Sequence, residues 1–187
     1  SLATGETRTL VEDGALAIYH IGEEEGTVLF TASDLKQYGS ASGQDFYKLS
    51  LAGGGCEKLL AHELVPGTSP ITDSTYGSGN AFVCAQGAAY YIVLDRFQSH
   101  IRSIDAAGVQ QEILGFDGGI QMLDMRGGAT VFVGMQKNSL QELYVLAGGK
   151  AVCISAFNSP LLSARAVQPV HYTPFQNRAG QQIDGWV

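Results

Sequence analysis

Basic residues are sparse in this sequence. Its 11 Lys and Arg all stand singly along 187 residues, against 18 Asp and Glu, for a net charge of −7. Nucleic acids and anionic membranes are gripped by dense positive charge, so no partner of either kind is expected. Long apolar runs are also missing. None approaches the ~18 residues of a membrane-spanning helix, and no signal-peptide pattern opens the chain. Cysteine is scarce and odd in number. Cys56, Cys84 and Cys153 are 28 and 69 positions apart, which fits neither a zinc knuckle nor a redox Cys-x-x-Cys pair. Each falls in an expected strand, where an unpaired thiol packs as a small apolar side chain. Free thiols point to a reducing, cytoplasmic setting. Sustained helical periodicity is absent as well. The nearest candidate, residues 159–167 (SPLLSARAV), is nine residues long, stops before Pro169 and makes one turn or two.

Glycine, by contrast, is abundant: 24 of 187 residues, where about 7% is usual. Among short apolar runs, that excess signals many tight turns and hence many strands. Residues 128–155, GATVFVGMQKNSLQELYVLAGGKAVCIS, read as three strands at 129–136, 142–147 and 151–155, with a tight turn at Ala147-Gly148-Gly149. Residues 87–114 repeat the pattern with a turn at Ala106-Ala107-Gly108, and residues 26–60 give a third copy turning around Gly53-Gly54. The opening glycines Gly87 and Gly128 are 41 positions apart, and so are the turn glycines Gly108 and Gly149. In the first copy Gly26 precedes Gly54 by 28 positions instead of 21, and the seven extra residues fall in the polar connection 35–44. A period of about 40 residues carrying several strands is that of a β-propeller blade.

Taken in order, TRTLVEDG (residues 7–14) suits the outermost strand of a preceding blade. Residues 15–22 form the first full strand. The acidic turn Glu23-Glu24-Glu25-Gly26 reads as a solvated hairpin tip whose side chains diverge too far to share a metal. Residues 62–75, with Pro66, Gly67 and Pro70, connect two blades. The second blade uses 80–85, 88–95, 99–105 and 109–114, and residues 120–125 open the third. First strands are apolar on both faces, as befits strands near a propeller axis, while later ones turn Lys48, Ser50, Arg102 and Ser103 toward water. The fold class is therefore all-β. A partial β-propeller over residues 1–167 holds about three four-stranded antiparallel blades (15–60, 80–114 and 120–155). A linking hairpin, 168–187, then turns at Asn177-Arg178-Ala179-Gly180 and departs from the repeat. Because the sequence stops within the apolar run Ile183-Asp184-Gly185-Trp186-Val187, a fragment of a longer chain is expected.

Catalytic signatures are missing. There is no G-x-S-x-G elbow, and the Gly- and Ser-rich stretches 39–43 and 77–79 do not lie between a strand and a helix. His20, His62, His100 and His171 are scattered, with no ligand spacing among them or to cysteine. Gly53-Gly54-Gly55 and Gly118-Gly119 precede no helix that could hold phosphate and read as tight β-turns. No catalytic, metal-binding or cofactor-binding residue is assigned, and no cofactor is expected.

The closing segment carries a resemblance. Cys153–Asn158 (CISAFN), Leu161-Leu162 and residues 171–187 (HYTPFQNRAGQQIDGWV) resemble the propeller-to-hydrolase junction of the prolyl oligopeptidase family of serine peptidases, in its acylaminoacyl-peptidase and dipeptidyl-peptidase-like branches. Ile154-Ser155 and Asn158 occupy the family's Leu-Thr-x-x-Asn pattern. Ala179-Gly180, Ile183, Gly185, Trp186 and Val187 occupy the hairpin that leads into an α/β-hydrolase domain. Arg178-Ala179-Gly180 replaces the usual Asp-Gly, and Pro174-Phe175-Gln176 replaces a simple strand. TVLFTASD (27–34) and YKLSLAGGGCEKL (47–59) are similar to the family's blade strands. The resemblance implies a catalytic triad beyond Val187 on a hydrolase domain of the same parent chain, peptide substrates, and a propeller that restricts access to short peptides. Arg96, Arg102 and Arg126 are substrate-gating candidates by charge alone, and a solvated turn charge is the default for each. An open arc of blades is expected to self-associate. The alternative is a non-enzymatic propeller that binds a protein or peptide.

Overall fold

The computed structural model describes residues 3–11, 14, 16–37, 43–53, 55–61, 64–67 and 79–187. Strands β1 (Leu16–Glu24), β2 (Thr27–Asp34), β3 (Asp45–Ser50) and β4 (Glu57–Leu60) form one antiparallel sheet in chain order. β5 (Phe82–Ala85), β6 (Ala88–Asp95), β7 (Gln98–Asp105) and β8 (Gln110–Phe116) form the second, and β9 (Gly118–Arg126), β10 (Ala129–Gln136), β11 (Glu142–Ala147) and β12 (Lys150–Cys153) the third. A short helix α1 (Ser159–Ser163) and a hairpin of β13 (Phe175–Gln176) and β14 (Gln182–Ile183) follow. Parts of the expected connections 35–44 and 62–75, the turn glycine Gly54, His62 and most of the stretch 77–79 lie outside the described residues.

The opening glycines of the repeat close the first hairpin of each blade. Glu25-Gly26 (φ 51° and 78°), Gln86-Gly87 (56° and 77°) and Gly127-Gly128 (58° and 82°) are two-residue left-handed turns. Their twist matches that of the flanking strands, and glycine adopts the conformation without steric cost. Gly118-Gly119, read above as a turn, instead begins β9 and pairs with Gln136 and Met135. A Cβ on Gly118 would lie 2.2 Å from the Met135 carbonyl oxygen, so the glycine serves close strand approach.

Alternation along the second strand of each blade sets the packing. In β6, Ala89, Tyr91 and Val93 meet Leu29 and Phe46 of the first sheet. Ile92, on the opposite face, meets Ile120, Leu123 and Phe132 of the third. Tyr91 and Phe46 have ring centroids 4.8 Å apart, and Phe116, Phe132 and Tyr144 cluster at 5.2–5.3 Å. The buried Tyr91 hydroxyl accepts a hydrogen bond from Gln110 Nε2 at 2.5 Å, and burial pushes its pKa up to about 12. The outward face of the first sheet (Val28, Phe30, Ala32, Tyr47 and Leu49) is covered by Leu10, Val11 and Leu16. Leu10 and Val11, within the segment expected to supply a neighbouring strand, thus pack on this face without forming one.

β1 touches β5, and β5 touches β9, so the first strands converge as expected of strands near an axis. Their burial differs from expectation. Ile18, Tyr19 and Ile21 of β1 are 50%, 41% and 65% exposed, whereas β2 is buried almost throughout. Three sheets form an arc, and no strand among the described residues lies across the axis to cover these side chains. His20 packs inward instead, stacked on Phe82 at 5.7 Å with Nε2 3.1 Å from the Pro66 carbonyl. Burial lowers its pKa.

The acidic turn does more than meet solvent. The Glu24 carboxylate accepts the backbone N–H of Gln86 at 2.7 Å and of Gly87 at 2.6 Å, fastening the first blade to the next blade's turn. Of the cysteines, Cys84 is half-buried in β5, and its thiol is pushed up to about 11 by burial and then by the Glu24 and Glu23 carboxylates. Cys56, just before β4, and Cys153, ending β12, are exposed and free, because each outermost strand has one open flank. No helix among the described residues is long and apolar enough to cross a membrane.

The alternation predicts unequal costs for adjacent truncations in β10. Phe132→Ala should cost about 3–5 kcal/mol, read from the urea midpoint. Val131→Ala, on the uncovered face, should cost about 1 kcal/mol or less. Equal losses would contradict the assignment of faces.

Candidate functional site

The chain leaves the third blade at a buried carboxylate. Glu142 begins β11, is 8% exposed, and accepts hydrogen bonds from Ser155 Oγ, from the backbone N–H of Phe157 at 3.0 Å and of Asn158 at 2.8 Å, and from Asn158 Nδ2 at 3.2 Å. Asn158 Nδ2 also donates to the Gln141 carbonyl at 2.6 Å. Burial alone would raise the Glu142 pKa, but the donors from Ser155, Asn158 and Phe157 outweigh it and hold the carboxyl below its ordinary value. Ser155 and Asn158, two residues of the junction pattern, therefore fix the direction in which the chain departs. α1 follows with Pro160 in its first turn and no buried residue.

The departing segment crosses the upper face of the arc, which carries the β6–β7 and β10–β11 turns. Asn138 of the β10–β11 turn donates through Nδ2 to the Gln168 carbonyl. The hairpin pairs Tyr172 with Trp186 and Phe175 with Ile183. Its expected turn at 177–180 forms: Asn177 Oδ1 accepts the N–H of Ala179 at 2.9 Å and of Gln181 at 3.0 Å.

Arg96, at the tip of the β6–β7 turn, reaches this hairpin. Its Nε donates to Asp184 Oδ2 at 3.0 Å, and its Nη2 donates to Asp184 Oδ1 and to the Tyr172 hydroxyl at 3.3 Å. The Tyr172 hydroxyl donates to Asp184 Oδ1 at 2.6 Å. Hydrogen bonds from Arg96, then from Tyr172, lower the Asp184 pKa. Beside them, the Phe97 ring lies 5.0 Å from Tyr172 and 5.2 Å from Trp186. Phe97, Tyr172 and Trp186 wall a cleft of about 370 Å³ with Asp117, Met135 and Lys137.

The three arginines singled out by charge are not brought together. Arg96 is engaged by Asp184. Arg102, in β7, has Nη2 3.8 Å from Asp95 Oδ2 and 3.7 Å from Glu112 Oε2. Arg126 ends β9 on the lower face, exposed, beside a groove of about 550 Å³ along the uncovered side of the third sheet. Asp184, Tyr172, Phe97 and Glu142 were not anticipated. A carboxylate and two aromatics in the closing hairpin were the available signal, but nothing in their spacing points to residue 96. Among the described residues, no three His, Cys, Asp or Glu side chains gather as a metal site.

Three sheets converging on their first strands, with an exit hairpin on one face, make this a partial β-propeller. No known family profile and no curated protein matches the chain. Solved structures do. An acylaminoacyl peptidase in complex with Z-Gly-Gly-Phe-chloromethyl ketone is similar with a TM-score of 0.72 at 16% identity, covering 98% of this chain and 26% of that one. Pyrococcus horikoshii acylaminoacyl peptidase gives 0.66 at 15%, covering 90% and 24%. A puromycin hydrolase gives 0.58 at 17%, covering 96% and 26%. At these identities the likeness is one of fold, and this chain spans about a quarter of the length of each.

The Glu142 geometry predicts a pH-dependent junction. Because its folded pKa lies below the ordinary carboxylate value, its stabilisation is fully present above pH 4.5 and is lost as pH falls through the folded value. Hydrogen-exchange protection of the Phe157 and Asn158 amides should follow that course. Glu142→Ala should reduce it about tenfold at neutral pH, and unchanged protection would show that the carboxylate does not hold the exit.

Proposed function

We propose that this chain is the last part of the propeller of a prolyl-oligopeptidase-family serine peptidase, with an α/β-hydrolase domain of the same polypeptide as its partner and short peptides as substrates. The observation that carries this reading is the extent of the likeness to acylaminoacyl peptidase. A match over 98% of the chain cannot omit the whole of residues 168–187, so it extends past the three blades. The exit hairpin is also the part of the sequence that resembles the family junction, which supports the same reading.

In this reading hydrolysis proceeds by serine attack with a histidine base and an oxyanion hole, all on the hydrolase domain. The 187-residue chain supplies access control and is inert alone. Of the three arginines, Arg126 remains the candidate to meet a substrate carboxylate, on the face opposite the exit hairpin. Arg96 and Arg102 already face acidic partners, and Arg126 has no ion-pair partner among the described residues and ends an innermost strand beside the axis. The exposed thiols of Cys56 and Cys153 favour a reducing, cytoplasmic setting. The half-exposed Val131, Val133 and Leu143 on the outer side of the third sheet favour self-association of the isolated chain.

The reading frame downstream of Val187 in the parent gene tests the assignment. A following domain with G-x-S-x-G and later Asp and His is expected. Further blade repeats would instead identify a binding propeller without catalysis. For the isolated chain, sedimentation should show mass rising with concentration, and a monomer at every concentration would refute self-association.

A further inference from the structure

We infer that the exit hairpin is a releasable clasp, held on the upper face by Arg96 and Phe97 of the β6–β7 turn, and that opening this contact frees the hairpin without unfolding the blades. The hairpin has little to hold it otherwise. β13 and β14 are two residues each and bury no side chain, and a lone two-stranded hairpin is marginal in water. Its side-chain attachments to the second blade converge on two adjacent residues. Arg96 binds both Asp184 oxygens and the Tyr172 hydroxyl, while Phe97 contacts Tyr172 and Trp186.

The turn itself does not call for an arginine. Arg96 sits at φ 56°, where Gly, Asn or Asp is accommodated more easily. What the guanidinium adds there is reach to Asp184. The Arg96 side chain is also 54% exposed, so water and salt compete with the contact and leave it poised between closed and open. Upstream, Asn138 holds the Gln168 carbonyl, which leaves residues 169–170 as the pivot. Tyr172 and Trp186 form one wall of the cleft beside Asp117 and Lys137, so the cleft is complete only while the clasp is shut. If a hydrolase domain follows, as proposed above, the clasp fixes the direction in which the chain reaches it. The clasp itself stands on this chain's own contacts.

Trp186 is the sole tryptophan, so indole fluorescence of the 187-residue chain reads the clasp directly and independently of any peptidase activity. Arg96→Asn retains a residue suited to the left-handed turn. It should raise acrylamide quenching of Trp186, 47% exposed with the clasp shut, by up to about twofold and shift its emission to the red, with the urea midpoint of the sheets by far-UV circular dichroism unchanged. Salt at about 1 M should move the unsubstituted chain the same way. Asp184→Asn, removing the partner from the hairpin side, should reproduce the effect should the first variant fail to fold. Quenching unchanged in a folded variant would overturn the proposal, as would Trp186 exposure that appears only together with unfolding of the sheets.

Discussion

A four-stranded antiparallel sheet with two apolar faces cannot stand alone in water, and the other features of this chain depend on how the second sheet is sandwiched between the first and the third. The second blade shows the constraint most clearly. Tyr91 and Ile92 are neighbours in one strand, yet they belong to separate apolar clusters, one shared with the first blade and one with the third. A shift of one residue in β6 would exchange the two and leave both interfaces mismatched. Sandwiching therefore fixes the register of β6, and the register fixes where its turn projects. Arg96 reaches the exit hairpin because the strand behind it is locked from both sides.

The same logic explains how the junction is built. Glu142 begins a strand whose next inward residue, Tyr144, packs against Phe116 and Phe132. Its carboxylate is thus delivered to one place, where Ser155, Phe157 and Asn158 gather around it. The path from the last blade to the hairpin is set first by a buried acid and then by contacts on the upper face. The exit path is thus determined by side chains of the third blade and of the upper turns.

The blades were legible because their signals are local. Left-handed turns need glycine at fixed places, strand periodicity is two, and a 41-residue spacing repeats both. β6, β10 and β11 follow the expected boundaries to the residue. Contacts across sequence were not legible. Arg96 and Asp184 are 88 positions apart, and a charge at a turn tip looks the same whether or not a partner folds over it. Glu24 reads as one of three solvated acids because its hydrogen-bond donors are backbone amides, which leave no mark in composition. The exposure of Ile18 and Ile21 escaped for a related reason. Apolar side chains show that a strand can be buried, but not whether another element arrives to bury it.

The grip of Glu24 on the Gln86-Gly87 turn bears on how such an array can change over evolutionary time. The corresponding position before the next left-handed turn is Ala85, which cannot accept the amides of Gly127-Gly128. That junction relies instead on Ser99 Oγ accepting the Ile120 N–H at 3.0 Å and on the Asn80 carbonyl accepting the Leu123 N–H at 2.8 Å. The blades share a period but not their fastenings. A tandem duplication of the second blade would set Ala85 against a turn built to be held by a carboxylate. Lengthening this arc would therefore take compensating substitutions at the new boundary, and the order of its modules is written into their edges.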